Sequence, residues 1–292
     1  MCINKNNSIY NIINNIKNFW IEKNNFINIM QYDSEVGAGT FHPLIFFNSI
    51  KLNPLKYIYI QKSRRPQDSK FSITKLYNHI QLQVIIYPSY NNIQELYINS
   101  LDKIGINKNN YDIKFLDDNW KNPTLLAWGV GNEVQINGIE ITQITNFMYI
   151  GGIKCNGKIS EITYGIERIS SILQNSDINN LVWDYSNNNV IYYKDIFLEN
   201  FNNYDMYNSN NNINCNNILN INRIIENEIE FLLNMKNPLV FVAYDYLLKI
   251  INNFNILDSR LYFSNFYKKI YISKIQNILK KIVKKYLKNN EK

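Results

Sequence analysis

Glu133-Val-Gln-Ile-Asn-Gly-Ile-Glu-Ile-Thr-Gln143 sets two apolar, β-branched runs on either side of Asn137-Gly138. Asn-Gly supplies the positive φ angles that a two-residue hairpin turn requires, so the stretch predicts antiparallel strands over Glu133 to Ile136 and Ile139 to Tyr149. Upstream, Tyr57 to Gln61 and Gln81 to Tyr87 read as strands rich in Ile, Val and Tyr, joined across the polar segment Lys62 to Asn78 as a long-looped antiparallel hairpin. Tyr111 to Leu116 adds a further strand, and Glu161-Ile-Thr-Tyr-Gly165 is a short strand entering a helix at Ile166 to Leu173. Helical spacing marks Ile9 to Trp20 and Gln94 to Ile104. Strands with interspersed helices, and no βα alternation, point to an α+β fold around a mostly antiparallel sheet.

Toward the C-terminus, Asn200 to Asn222 is dense in Asn with few apolar anchors and reads as a connection between 1–199 and a helical domain, 223–292. Ile218 to Met235, Val240 to Phe254 and Tyr267 to Leu287 carry helical periodicity, with Pro238 punctuating the first two. The last stretch, Lys274 to Lys288, is basic and amphipathic; a face like this can meet RNA or a membrane, but packing with a solvated Lys side is the ordinary outcome.

Composition narrows the class. Hydrophobic residues at 46% and aromatics at 14% of 292 residues suffice for a real core, which excludes a disordered chain. The net charge of +7 suits ATP or RNA, yet Lys is spread along the whole chain and the charge follows equally from a general drift toward Asn, Ile and Lys. Cys2, Cys155 and Cys215 form neither a CxxC metal pair nor a disulfide framework. Met1 to Ser8 lacks the apolar core of a signal peptide, and no apolar run reaches the roughly 18 residues that span a bilayer. A soluble, cytoplasmic protein with no membrane association is expected.

The residues fit for chemistry are Gln61-Lys-Ser-Arg-Arg-Pro-Gln-Asp68, closing one strand, and Gly165-Ile-Glu-Arg168 at a strand-to-helix turn. Guanidinium forks match phosphate oxygens, so two arginine clusters converging from separate elements can hold both ends of a bent triphosphate; surface arginines are as readily solvated or ion-paired. Asp33 to Pro43 is glycine-bearing, but no Gly-Lys-Ser/Thr follows to make a phosphate loop.

Several long strings stand in order along Gln31 to Trp183: Tyr32-Asp-Ser-Glu-Val-Gly-Ala-Gly-Thr-Phe-His-Pro43, Ser63-Arg-Arg-Pro66, Asn91-Asn-Ile-Gln-Glu-Leu-Tyr97, Trp120-Lys-Asn-Pro-Thr-Leu-Leu-Ala-Trp-Gly-Val-Gly131, Asn137-Gly-Ile-Glu-Ile-Thr-Gln143, Gly151-Gly152 and Glu161-Ile-Thr-Tyr-Gly-Ile-Glu-Arg168. In order and spacing this set resembles the alpha subunit of the two-subunit bacterial glycyl-tRNA synthetase, and Asn237-Pro238 to Arg260 resembles that family's helical region more loosely.

The resemblance implies a class II synthetase-like antiparallel sheet flanked by helices, followed by a C-terminal helical domain. It implies a glycine–tRNA ligase that forms glycyl-adenylate from glycine and ATP and passes glycine to the 3' end of tRNA-Gly. By the same resemblance Arg65, with Arg64 beside it, meets the alpha-phosphate and Arg168 the gamma-phosphate, with Gln81 and Gln83 in the ATP site. Glu140 holds Mg2+; Trp128, Gln143, Glu161 and Thr163 form the glycine site, Glu161 taking the ammonium and Trp128 walling the pocket. The implied partners are tRNA and a beta subunit, with a homodimer of this chain inside a tetramer of two alpha and two beta subunits.

Departures from the family cluster at the site's edge. The loop Gln67 to Asn78 is short, with Ser69-Lys70 and Lys75 at places where Gly-Arg and Arg are usual; Leu82 stands for a Phe expected to stack on adenine, and Asn132 and Gln135 for tryptophans. These changes keep open a second expectation, a catalytically inactive synthetase-like RNA-binding or assembly module. His42, beside Pro43, is expected to be structural, and His79 has no assigned role.

Overall fold

The computed structural model describes residues 7–69, 76–187, 189–200 and 214–289. Lys70 and Lys75 of the short loop, and positions 201–213 of the Asn-rich connection, lie outside these residues.

A seven-stranded sheet runs in the order β1-β2-β3-β7-β6-β5-β4. Its strands are β1 (Ile27–Asn28), β2 (Leu55–Arg64), β3 (Asn78–Tyr87), β4 (Ile113–Asn122), β5 (Ala127–Ile136), β6 (Ile139–Ile150) and β7 (Ile153–Gly165). Only the β1–β2 pair is parallel. The expected hairpin forms between β5 and β6, with φ 50° at Asn137 and 82° at Gly138. The strands run longer than local sequence suggested: β7 begins at Ile153, eight residues before Glu161, because sheet pairing carries polar and Gly-containing positions that alternation alone does not mark.

Cross-strand register explains how one sheet makes both a core and a cleft. Tyr59, Gln83, Thr163 and Gln143 are directly paired across β2, β3, β7 and β6 and so share one face. One residue along, Ile58, Val84, Ile162 and Ile144 pair in the same way and share the other. The second row is buried against α1 (Ile9–Asn18), Trp20, Phe26 and α4 (Ile93–Asp102). A one-residue slip would turn the polar row into that core, so burial fixes the register.

On the polar face, one end is roofed by α2 (Pro43–Lys51) and the C-terminal helices α7 (Cys215–Asn234), α8 (Val240–Ser259) and α9 (Asn265–Asn289). Between these lie two short helices, α3 (Pro66–Ser69) and α6 (Tyr193–Ile196), helix α5 (Ile166–Gln174), and a hairpin of β8 (Val182–Ser186) and β9 (Asn189–Tyr192). Under the roof Tyr59, Ile85, Phe147 and Ile159 join Phe46, Phe47, Tyr244, Leu247 and Leu279 in one apolar cluster, with the Phe46 and Tyr244 rings stacked at 4.8 Å. The helical segment thus shares a core with the sheet, and the described end of the Asn-rich connection, Cys215 to Asn222, is already part of α7. The basic stretch behaves as an ordinary packed helix: Ile275, Leu279, Ile282, Val283 and Tyr286 are buried while Lys280, Lys281, Lys284 and Lys288 face out. Among the described residues no helix is long and apolar enough to cross a membrane.

Helix α2 was not foreseen in the glycine-bearing stretch. It starts at Pro43, whose fixed φ suits a first helical position, and the Nδ1 of His42 accepts the Leu44 N–H at 3.2 Å. Strand β5 passes so close to β6 that a Cβ at Gly131 would sit 1.9 Å from the Ile144 carbonyl oxygen. Gly131→Ala is therefore expected to cost about 2 kcal/mol or more, read as a lower urea midpoint with an unchanged slope.

Candidate active site

The open end of the polar face is a cleft of about 450 Å³. Arg65 enters it from the end of β2, Glu161 and Thr163 from β7, Glu140 and Gln143 from β6, and Arg168 from the first turn of α5. Gln81 lines it as well. Residues separated by a hundred positions in sequence thus share one wall, as their cross-strand pairing requires.

Glu161 lies at the floor, where the roofed core gives way to the cleft, and is only 3% exposed. Both its oxygens accept from the Thr40 hydroxyl, at 3.1 and 2.8 Å. Burial raises its carboxyl to about pKa 7 against the lowering effect of that hydrogen bond. Among the described residues no cation pairs with it, and a carboxylate in so dry a place can take up a small cationic group. Thr40 is held in turn: the Tyr59 hydroxyl donates to the Gly39 carbonyl at 2.9 Å, Tyr244 donates to the Phe41 carbonyl at 3.0 Å, and the Gly39 N–H donates to Gln81 Oε1 at 3.1 Å.

Arg168 sits at the rim. Its Nη1 reaches both the Glu140 carboxylate at 2.6 Å and the Glu140 carbonyl at 2.9 Å. With side chains 52% and 40% exposed, this pair is worth about 1 kcal/mol or less, and an incoming phosphate can displace the carboxylate. Its neighbour Glu167 is buried and accepts the Ile80 N–H at 2.7 Å and the Tyr193 hydroxyl at 2.8 Å, which ties α5 to β3 and fixes where Arg168 starts. His79 lines the same cleft, its imidazole kept neutral by burial first and then by the charges of Arg65 and Arg168. The two guanidinium groups therefore act on one imidazole from separate elements. Gln143 lines the cleft, and its buried Nε2 has no hydrogen-bond partner among the described residues.

Three of the expected site residues, Arg64, Gln83 and Trp128, do not line the cleft. Arg64 follows Ser63 on β2 and turns away from the cleft, to Glu35 at 3.4 Å and the Tyr77 ring. Gln83 is on the correct face but buried under Gly39, accepting from Thr163 Oγ1 at 2.9 Å and donating to Gln81 Oε1 at 3.1 Å, so it braces the floor. Trp128 sits one residue before Gly129, whose partner Trp120 lines the cleft; it stacks on Tyr149 at 5.7 Å and borders a separate depression with Lys121 and Gln276. Leu82 likewise belongs to the opposite face, wholly buried among Ile80, Val84 and Tyr164, and cannot stand in for an adenine-stacking ring. Thr40, His79, Asp118 and Trp120 are among the cleft-lining groups to which local sequence assigned no role.

The whole chain can now be set against known proteins. The model of the glycyl-tRNA synthetase alpha subunit family matches residues 9–291. This chain belongs to that family. Among its relatives, the glycine–tRNA ligase alpha subunit of Wigglesworthia glossinidia brevipalpis is 44% identical over 283 residues, covering 96% of this chain and 93% of the relative. That of Buchnera aphidicola subsp. Baizongia pistaciae (strain Bp) is 40% identical over 293 residues, covering 99% and 97%. Membership in the glycyl-tRNA synthetase alpha subunit family makes the chain a subunit of an aminoacyl-tRNA ligase.

Proposed function

We propose that the cleft activates glycine with ATP: a glycine carboxylate oxygen bonds to the alpha-phosphorus, the bond from that phosphorus to the bridging oxygen breaks, and pyrophosphate leaves. A hydroxyl oxygen at the 3' end of tRNA-Gly then bonds to the glycyl carbonyl carbon and gives up its proton, the bond from that carbon to the phosphate oxygen breaks, and AMP leaves. The observation that carries this reading is the convergence of Arg65, Arg168 and Glu161 on one cavity.

The reaction needs no protein nucleophile. It needs reactants held in line and the charge gathering on phosphate oxygens stabilised. Arg65 is assigned to the alpha-phosphate and Arg168 to the gamma-phosphate, each as a planar fork of donors. Glu161 takes the glycine ammonium; the incoming cation draws its carboxyl back to the ionised form and swings the substrate's carboxylate toward ATP. Gln143 lines the same floor, and its unpartnered amide suits the glycine carboxylate; Thr163, whose hydroxyl donates to Gln83, lines the floor beside it.

The donor set fits magnesium carried mainly by phosphate oxygens. Among the described residues no three His, Cys, Asp or Glu side chains cluster to hold an ion alone, while Glu140 offers one hard carboxylate at the rim. Glu140 would hold the ion together with ATP, and magnesium there neutralises charge on the triphosphate.

For assembly we assign a homodimer of this chain joined by two beta subunits, working in the cytoplasm. The relatives are named as alpha subunits, which supports a partner subunit. The test is glycine-dependent exchange of labelled pyrophosphate into ATP by the full chain with its partner subunit. Robust exchange is expected; none with the partner present would point to an inactive RNA-binding or assembly module.

A further inference from the structure

We infer that Asn252 and Glu35 are positioning residues for Arg65, so that helix α8 sets ATP affinity through the loop 32–37. The inference rests on the reading of Arg65 as a phosphate ligand. Strand β2 ends at Arg64; beyond it the Arg65 N–H donates to the Tyr77 carbonyl at 2.7 Å on the β3 side, and its opposite side has to be held from outside the sheet. Loop 32–37 does this at three points. The Val36 carbonyl accepts the Arg64 N–H at 2.8 Å, Glu35 Oε1 faces Arg64 Nη1 at 3.4 Å, and the Gly37 carbonyl accepts Arg65 Nε at 3.3 Å.

The other side of the loop is held by α8. Asn252, 4% exposed, donates from Nδ2 to Glu35 Oε2 at 2.6 Å, and the Tyr32 hydroxyl donates to Asp245 Oδ1 at 2.6 Å. Asp245 and Asn252 are two turns apart on one face of the helix. Glu35 is thus shared, with one oxygen bound by a buried amide and the other turned to the arginine. Its side chain is 54% exposed, so the ion pair adds little to stability. What it fixes is the placement of the Arg64–Arg65 peptide, and small displacements near a reacting centre weaken a reaction far more than they weaken a fold. Helix α8 also packs on α2, its Tyr244 ring stacked on Phe46.

The test is pyrophosphate exchange with the full chain and its partner subunit, for Asn252→Ala, Glu35→Gln, Arg65→Ala and the double variant Asn252→Ala/Arg65→Ala. ATP KM is expected to rise about tenfold in the first two, with glycine KM within about twofold and the urea midpoint nearly unchanged. The Asn252 change should add nothing to Arg65→Ala, as expected for two changes acting through one contact. Unchanged ATP KM in both single positioning variants, equal rises for ATP and glycine, or additivity with Arg65→Ala would each overturn the inference. If Asn252→Ala fails to fold, Glu35→Gln, at a half-exposed carboxylate, carries the test. Arg65→Ala with an unaltered ATP KM rejects the phosphate reading and the inference with it; a raised KM there, with none in the positioning variants, rejects the inference alone.

Discussion

Glu161→Gln is expected to lower glycine-dependent adenylate formation about a hundredfold or more while making the fold more resistant to unfolding at pH 8. The two effects have one cause. Burial holds the Glu161 carboxyl near pKa 7, against 4.5 in its ordinary state, so the folded protein favours the protonated acid. A carboxyl raised in the fold contributes stability that is fully present below the unfolded pKa and is lost as pH rises through the folded value. Between pH 4.5 and about 7 the wild-type chain therefore loses about 3 kcal/mol at this position. Glutamine keeps the shape, never ionises and escapes that loss, but cannot pair with an ammonium as an anion. Glu167 is raised to about 7 as well, again chiefly by burial, so the variant should show about half the wild-type fall in urea midpoint between pH 5 and pH 8. In the wild type, glycine KM should rise about tenfold from pH 8 to pH 6, because one unit below its pKa Glu161 is mostly protonated. A glycine KM indifferent to pH across that range would separate Glu161 from the substrate.

Arg168→Ala is expected to cost a hundred- to a thousandfold, roughly, in kcat/KM for ATP in the exchange reaction, the usual range for a preorganised donor to developing charge. The fold should tolerate it. Arg168 is half exposed, its ion pair among the described residues is with the similarly exposed Glu140, and the start of α5 is anchored by Glu167 through Ile80 and Tyr193. The substitution also releases Glu140, so a loss of ATP binding cannot come from a newly trapped buried charge. Arg168→Lys should recover only part of the activity, since an ammonium keeps the charge but not the planar fork. A urea midpoint that falls with the activity would instead make Arg168 a structural residue.

Much of this architecture was legible because its signals are local. Asn137-Gly138 dictates its own turn, and the spacing of Ile9, Ile12, Ile13 and Ile16 dictates an amphipathic helix whatever lies opposite. The cleft was only partly legible, since membership depends on which face a residue takes. Alternation separates Arg64 from Arg65 and Leu82 from Gln81 and Gln83, a distinction the residue types do not make. Trp128 lies at an irregularity in the β5–β6 register, where a side chain's direction cannot be counted from its neighbours. Thr40 becomes a site residue only through Glu161, at a sequence separation of 121. His79 gains its place from two arginines brought in by other elements. Helix α2 did carry a local sign, Pro43 at its first position, hidden by the glycines before it.

Calorimetric titration of ATP, and of glycine in the presence of a non-hydrolysable ATP analogue, into the wild-type, Glu161→Gln and Arg168→Ala chains would decide whether the cleft divides its labour as described. ATP should bind Glu161→Gln almost as it binds the wild type and bind Arg168→Ala at least about tenfold more weakly, while glycine binding should vanish in Glu161→Gln. Equal weakening of both ligands by either substitution, or glycine bound normally to Glu161→Gln, would mean that the carboxylate and the guanidinium do not serve neighbouring halves of one substrate pair.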